Sequence, residues 1–268
     1  MSMSLSLDDL IVLVVEPSSI QARIVGAALG RLGVEHVRTV SSGAEALASM
    51  RQARPALVIS ALYLPDMSGT DVVYAMRRNP DLEAVGFILI SSETRPQVLD
   101  PVRQAGVCGI LPKPFSDTQL ATALRSTLDF LNTDDSLSHA APDLEMLKVL
   151  IVDDSSSARK FIRRVLSNLG VEHFHEAGNG REAVAWLEDN YVDLVVTDYN
   201  MPEMDGQQLV SHIRSRSWQS SVPVLMVTSE QDAGRLAAVE EAGVSGVCDK
   251  PFEPAVVRQL LQRILPVT

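Results

Sequence analysis

The sequence holds 268 residues, 46% of them hydrophobic but only 4% aromatic, with a formal net charge of −11, which is enough chain for two ordinary domains with cores of their own. The acidic balance argues against non-specific nucleic-acid or anionic-membrane binding, and no apolar run approaches a membrane span. Cys108 and Cys248 lack metal spacing and Asp8 and Asp9 stand where a signal peptide would be basic, so a cytoplasmic protein with buried, reduced thiols is expected.

In chain order, apolar β-branched runs alternate with amphipathic stretches. Strands are expected near 11–15, 35–40, 56–61, 85–91 and 107–111, with helices near 17–32, 43–53, 69–79, 95–105 and 116–131. From Asn132 to Asp143 the residues turn small and polar, which marks a linker; the alternative is that the preceding helix continues through Leu131 and beyond. Strands then recur near 148–152, 172–177, 193–198, 223–228 and 246–249, and helices near 154–169, 180–190, 206–217, 232–242 and 253–265. The alternation implies parallel sheets covered by helices on both faces, an α/β fold.

The two halves are copies. Glu16 and Asp153, Ala61 and Asp198, Ser91 and Thr228, and Lys113 and Lys250 are each 137 residues apart, and Leu32-Gly33-Val34-Glu35-His36 returns as Leu169-Gly170-Val171-Glu172-His173. A period this long, carrying a whole α/β unit, means tandem domains rather than a solenoid. The expected division is 1–131, a linker at 132–146, and 147–268.

The second copy gathers charged groups at its strand ends. Val149-Leu150-Ile151-Val152 runs into Asp153 and Asp154; Leu194-Val195-Val196-Thr197 runs into Asp198, followed by Asn200, Pro202 and Gly206. In open α/β sheets the carboxyl edge is where ligands sit. Three carboxylates there repel one another unless a cation is present, and hard oxygen ligands suit Mg²⁺. Thr228 closes one further strand and Lys250 another, giving a hydroxyl and an ammonium suited to phosphoryl oxygens.

On these residues the segment from about Leu147 to Leu265 resembles a response-regulator receiver domain of the CheY-like kind. The resemblance implies a flavodoxin-like sheet in the order 2-1-3-4-5 and gives the residues roles. Asp198 is the phosphoacceptor. Asp154, Asp198 and the main-chain carbonyl of Asn200 bind Mg²⁺, with Asp153 binding directly or through water. Lys250, Thr228 and the N–H of Ser229 hold phosphoryl oxygens, and the Lys250–Pro251 bond is cis. Partners implied are a sensor histidine kinase or phosphotransfer protein as donor, and a downstream target protein, another copy of the chain in a homodimer, or the first domain as receiver of the signal. Many receivers carry an aromatic ring three residues before the lysine; here Val247 takes that place, and Ile110 in the first copy. Asn200 and Glu230 flank the pocket and are expected to admit a hydrolytic water.

The first copy keeps the frame without the chemistry. Glu16-Pro17 replaces the acid pair and Ala61 replaces Asp198, while Ser91 and Lys113-Pro114-Phe115 remain. It reads as a degenerate receiver, with Lys113 paired to Glu16, serving as inert bulk or as a partner-binding module; an exposed apolar patch on its fourth or fifth helix would favour the latter. His173, His175 and His212 are expected to be structural. The leading expectation is a regulator that is not an enzyme and lacks a DNA-binding or enzymatic output segment. The alternatives are a binding-only scaffold, a hydrolase using Asp198, or the receiver portion of a longer diguanylate-cyclase-type regulator.

Overall fold

Central strands with apolar side chains on both faces fix the architecture. In the computed structural model, which describes residues 5–132, 144–229 and 233–264, the chain divides into two compact units, 1–132 and 133–268. The first contains β1 (Ile11–Val15), α1 (Ser19–Arg31), β2 (His36–Val40), α2 (Gly43–Gln52), β3 (Leu57–Ala61), α3 (Gly69–Arg78), β4 (Gly86–Ser91), α4 (Pro96–Gln104), β5 (Gly109–Pro112) and α5 (Asp117–Leu131). The second contains β6 (Lys148–Val152), α6 (Ser156–Asn168), β7 (His173–Ala177), α7 (Gly180–Asp189), β8 (Leu194–Asp198), α8 (Gly206–Arg216), β9 (Val224–Thr228), α9 (Ala233–Glu241), β10 (Gly246–Asp249) and α10 (Pro254–Ile264).

Both sheets are parallel, in the orders β2-β1-β3-β4-β5 and β7-β6-β8-β9-β10, so the flavodoxin-like order holds twice. Every residue of β3, β4, β8 and β9 is buried, as expected where helices cover both faces of a sheet. The edge strands β2 and β7 are only partly covered, and there the sequence admits His36, Arg38, His173, His175 and Glu176. In the second sheet Val152 lies opposite Thr197, Asp198 opposite Val227, and Thr228 opposite Asp249. This register brings the ends of four strands to one edge.

Helix α5 stops at Leu131. Asn132 is extended, and its side chain exchanges hydrogen bonds with the main chain of Leu5, which ends the continued-helix alternative at that residue. Of the expected linker, 133–143 lie outside the described residues, and Leu144–Met146 form a short 3-10 turn. The expected ends of helices at 232 and 265 lie outside them as well. Among the described residues, the exposed large hydrophobics of the first unit are Ile11, Ile20, Ile24 and Tyr63. They fall on β1, α1 and the loop after β3, not on α4 or α5 where a patch was sought.

Candidate functional site

Three carboxylates meet at the carboxyl edge of the second sheet. Asp153 and Asp154 follow β6 directly and Asp198 ends β8; Asp153 and Asp198 are buried and Asp154 is exposed. One oxygen of each lies within 4.8 Å of the others. Lys250, the residue after β10, points its Nζ at Asp153 Oδ2 at 2.8 Å and at Asp198 Oδ2 at 3.1 Å. Its main-chain N–H donates to the Thr228 carbonyl at 2.8 Å, and the Lys250–Pro251 bond is cis. The N–H of Tyr199 donates to Asp198 Oδ1 and that of Ser155 to Asp153 Oδ1, both at 2.8 Å.

The acid pair is not there to start α6. Ser155 is the N-cap, its hydroxyl accepting from Ala158 N–H, so capping leaves Asp154 unexplained. Nor is the charge balanced. Burial, offset only in part by Lys250 and reinforced by Asp198, pushes the Asp153 carboxyl up to about 6. At Lys250 burial works against the charge, but Asp153 and Asp198 together outweigh it and raise the ammonium. Among the described residues, the Lys250 ammonium is therefore shared by two buried carboxylates, with a third beside them. An all-oxygen, net-negative cluster fits a hard divalent ion such as Mg²⁺.

Two glycines hold the strand ends close to the loops that follow. A Cβ on Gly206 would lie 2.2 Å from the Asp198 carbonyl oxygen, and one on Gly69 2.4 Å from that of Ala61; neither gap admits a methyl group. Gly206→Ala is expected to cost about 2 kcal/mol, because the added methyl group must push the end of β8 at Asp198 away from the start of α8. A lower urea midpoint for the variant than for the wild-type chain checks this.

The remaining sequence-placed residues take these positions. Thr228 is buried at the end of β9, Ser229 follows half-buried, and Asn200 is exposed in the loop after β8. Val247 sits partly buried on β10 against the core, filling the place of the expected ring with a branched aliphatic group. Glu230, paired with Asn200 in the hydrolytic-water expectation, lies outside the described residues. His173 and His175 are on β7, the latter stacked on Trp186 with ring centroids 4.2 Å apart, and His212 is on α8.

In the first unit the corresponding edge is closed. Lys113 Nζ lies 2.7 Å from Glu16 Oε2, and Glu16 Oε1 accepts from Ser18 N–H at 3.1 Å. Ala61 stands at the end of β3. Tyr63, the counterpart of Asn200, donates its hydroxyl to Glu93 at 3.3 Å, and hydrogen bonds from Arg95 hold the Glu93 carboxyl down at about 2.

Comparison with known proteins matches the model of the response regulator receiver domain at residues 12–125 and again at 149–262. The chain belongs to the response regulator receiver family. Its relatives among receivers include chemotaxis protein CheY1 of Helicobacter pylori, 40% identical over 120 residues that cover 44% of this chain and 97% of the relative. Chemotaxis protein CheY-3 of Vibrio cholerae is 38% identical over 118 residues, covering 44% of this chain and 91% of the relative. The solved structure of chemotaxis protein CheY4 of Vibrio cholerae covers 44% of this chain and 98% of its own at 35% identity, with a TM-score of 0.42. A putative two-component response regulator/GGDEF domain protein covers 96% of this chain and all of its own at 22% identity, with a TM-score of 0.42. Among the described residues, no helix is long and apolar enough to cross a membrane.

One pair of residues at the receiver site escaped the sequence reading. Arg159 of α6 donates from Nη1 to the main-chain oxygen of Asp153 at 2.6 Å and from Nε to Glu176 Oε2 of β7 at 3.1 Å. The available signal was the internal alignment: Arg159 and Glu176 stand where the first copy has Ala22 and Thr39.

Proposed function

We propose that the second receiver accepts a phosphoryl group on Asp198 from a phosphohistidine of a sensor histidine kinase or phosphotransfer protein. In this reading the chain signals by phosphorylation-dependent contact with a downstream protein and is not an enzyme acting on a substrate of its own. The observation that supports it is the buried Asp198 carboxylate, set beside two further acids and 3.1 Å from the Lys250 ammonium.

In the reaction an Asp198 carboxylate oxygen attacks phosphorus. The new O–P bond forms as the P–N bond breaks, and the electron pair leaves on the imidazole nitrogen. Lys250 takes one phosphoryl oxygen as a point charge; the Thr228 hydroxyl and the Ser229 N–H take others. Asp154, Asp198 and the Asn200 carbonyl would hold Mg²⁺, with Asp153 bound directly or through water; the ion, when bound, neutralises charge shared by the carboxylates and the incoming phosphoryl group. The first receiver has a methyl group at position 61 and its lysine is engaged by Glu16, so it serves as a phosphate-independent adaptor.

Acetyl phosphate with Mg²⁺, followed by intact mass, tests this. The chain should gain one phosphate, and should gain none as Asp198→Ala or in the presence of a chelator. No gain in the wild-type chain would favour a binding-only scaffold.

A further inference from the structure

Asp153 is fixed by its own side chain, through Lys250 and the Ser155 N–H. Asp154 is different. It is exposed, so the direction of its carboxylate depends on the peptide that carries it, and the oxygen of that peptide, the Asp153 carbonyl, is the atom Arg159 holds at 2.6 Å. The guanidinium is in turn anchored to β7 through Glu176, which also accepts from Arg163 Nη1 at 3.2 Å. Strand end, helix and edge strand are thereby tied at one peptide.

We propose that Arg159, braced by Glu176, is a positioning residue that fixes the Asp153–Asp154 peptide and so preorganises Asp154 for a divalent cation. The inference rests on the reading of the acid cluster as a Mg²⁺ site. The first copy serves as an internal control. There the peptide is Glu16–Pro17, whose backbone the proline ring restricts, and the brace positions are Ala22 and Thr39. The brace exists only in the copy that keeps the acid pair. Charge separates this role from a simpler one. An unpaired guanidinium beside three carboxylates would compete with a metal ion, whereas the charge of Arg159 is offset in part by Glu176, which it shares with Arg163, and its hydrogen bond supplies direction to the peptide.

Titrating Mg²⁺ into the full chain by isothermal calorimetry tests the assignment without any phosphoryl transfer. Arg159→Ala should weaken Mg²⁺ binding about tenfold, in the range seen when groups that orient metal ligands are removed. Thermal unfolding in chelator should change little. Glu176→Gln, which keeps the cation but loosens its anchor, should weaken binding in the same direction, and Arg159→Lys should recover part of the loss. These two variants keep the test open should Arg159→Ala fold poorly. Binding that is unchanged or tighter in Arg159→Ala, or opposite shifts for Arg159→Ala and Glu176→Gln, would overturn the positioning role while leaving the metal site standing. No Mg²⁺ binding by the wild-type chain would overturn both.

Discussion

Lys250→Met is expected to destabilise the metal-free second receiver by about 3 kcal/mol, the low end of the loss on breaking a buried ion pair. The methionine leaves Asp153 and Asp198 buried side by side with no ammonium between them. What limits the loss is protonation. Asp153 already sits near 6, above its ordinary value, and without Lys250 it moves further up. A carboxyl whose folded pKa exceeds its unfolded one favours the folded state at low pH and loses that advantage as pH rises through the folded value. The deficit of the variant should therefore shrink between pH 7 and pH 5, and Mg²⁺ should recover much of it at neutral pH. Both tryptophans, Trp186 and Trp218, belong to the second unit, so urea unfolding followed by tryptophan fluorescence reads this unit alone. An unchanged midpoint in chelator at pH 7 would contradict the placement of Lys250 between the two acids.

Arg77→Met should have an effect of similar size in the other unit, about 4 kcal/mol. Arg77 is 5% exposed. Its Nε donates to the Ala105 carbonyl, Nη1 to those of Glu83 and Val85, and Nη2 to that of Gly106, at 2.7–3.1 Å. Methionine replaces the aliphatic stem and strands four carbonyl oxygens that close the α3–β4 and α4–β5 connections. Far-UV circular dichroism should show an earlier transition while the tryptophan-detected transition stays in place. Arg214, 137 positions later, plays the same part with the carbonyls of Ser220, Val222 and Gly243, so Arg214→Met should reverse the pattern. Coincident, unshifted transitions in Arg77→Met would remove the argument.

These two substitutions mark the boundary of what the sequence displays. Lys250 was legible because it ends an apolar strand, and because Asp153, Asp198 and Thr228 end the neighbouring strands of the same repeat. Strand ends share an edge in any parallel sheet, so no tertiary knowledge was required to assemble them. Arg77 was not legible. An arginine in the last turn of an amphipathic helix has the look of a solvent-facing cation at the helix C-terminus, and its turn inward depends on carbonyls from two later loops. The same holds for Arg159, whose partners are the residue after β6 and a residue of β7. The recurrence of arginine at 77 and 214 was a clue in plain sight, since drifted copies keep what their common frame requires. The end of α5 stayed open for a related reason: the residue that stops it, Asn132, is held by Leu5, 127 positions away, and no local pattern encodes that contact.

A crystal of the full chain grown with Mg²⁺ and beryllofluoride tests the central claim most directly. The expected result is beryllofluoride bonded to an Asp198 oxygen within reach of Lys250 and Thr228, with Mg²⁺ held by Asp154, Asp198 and the Asn200 carbonyl, and neither group at Ala61. An Asp198 carboxylate left bare, or either group bound instead in the first receiver, would contradict the account.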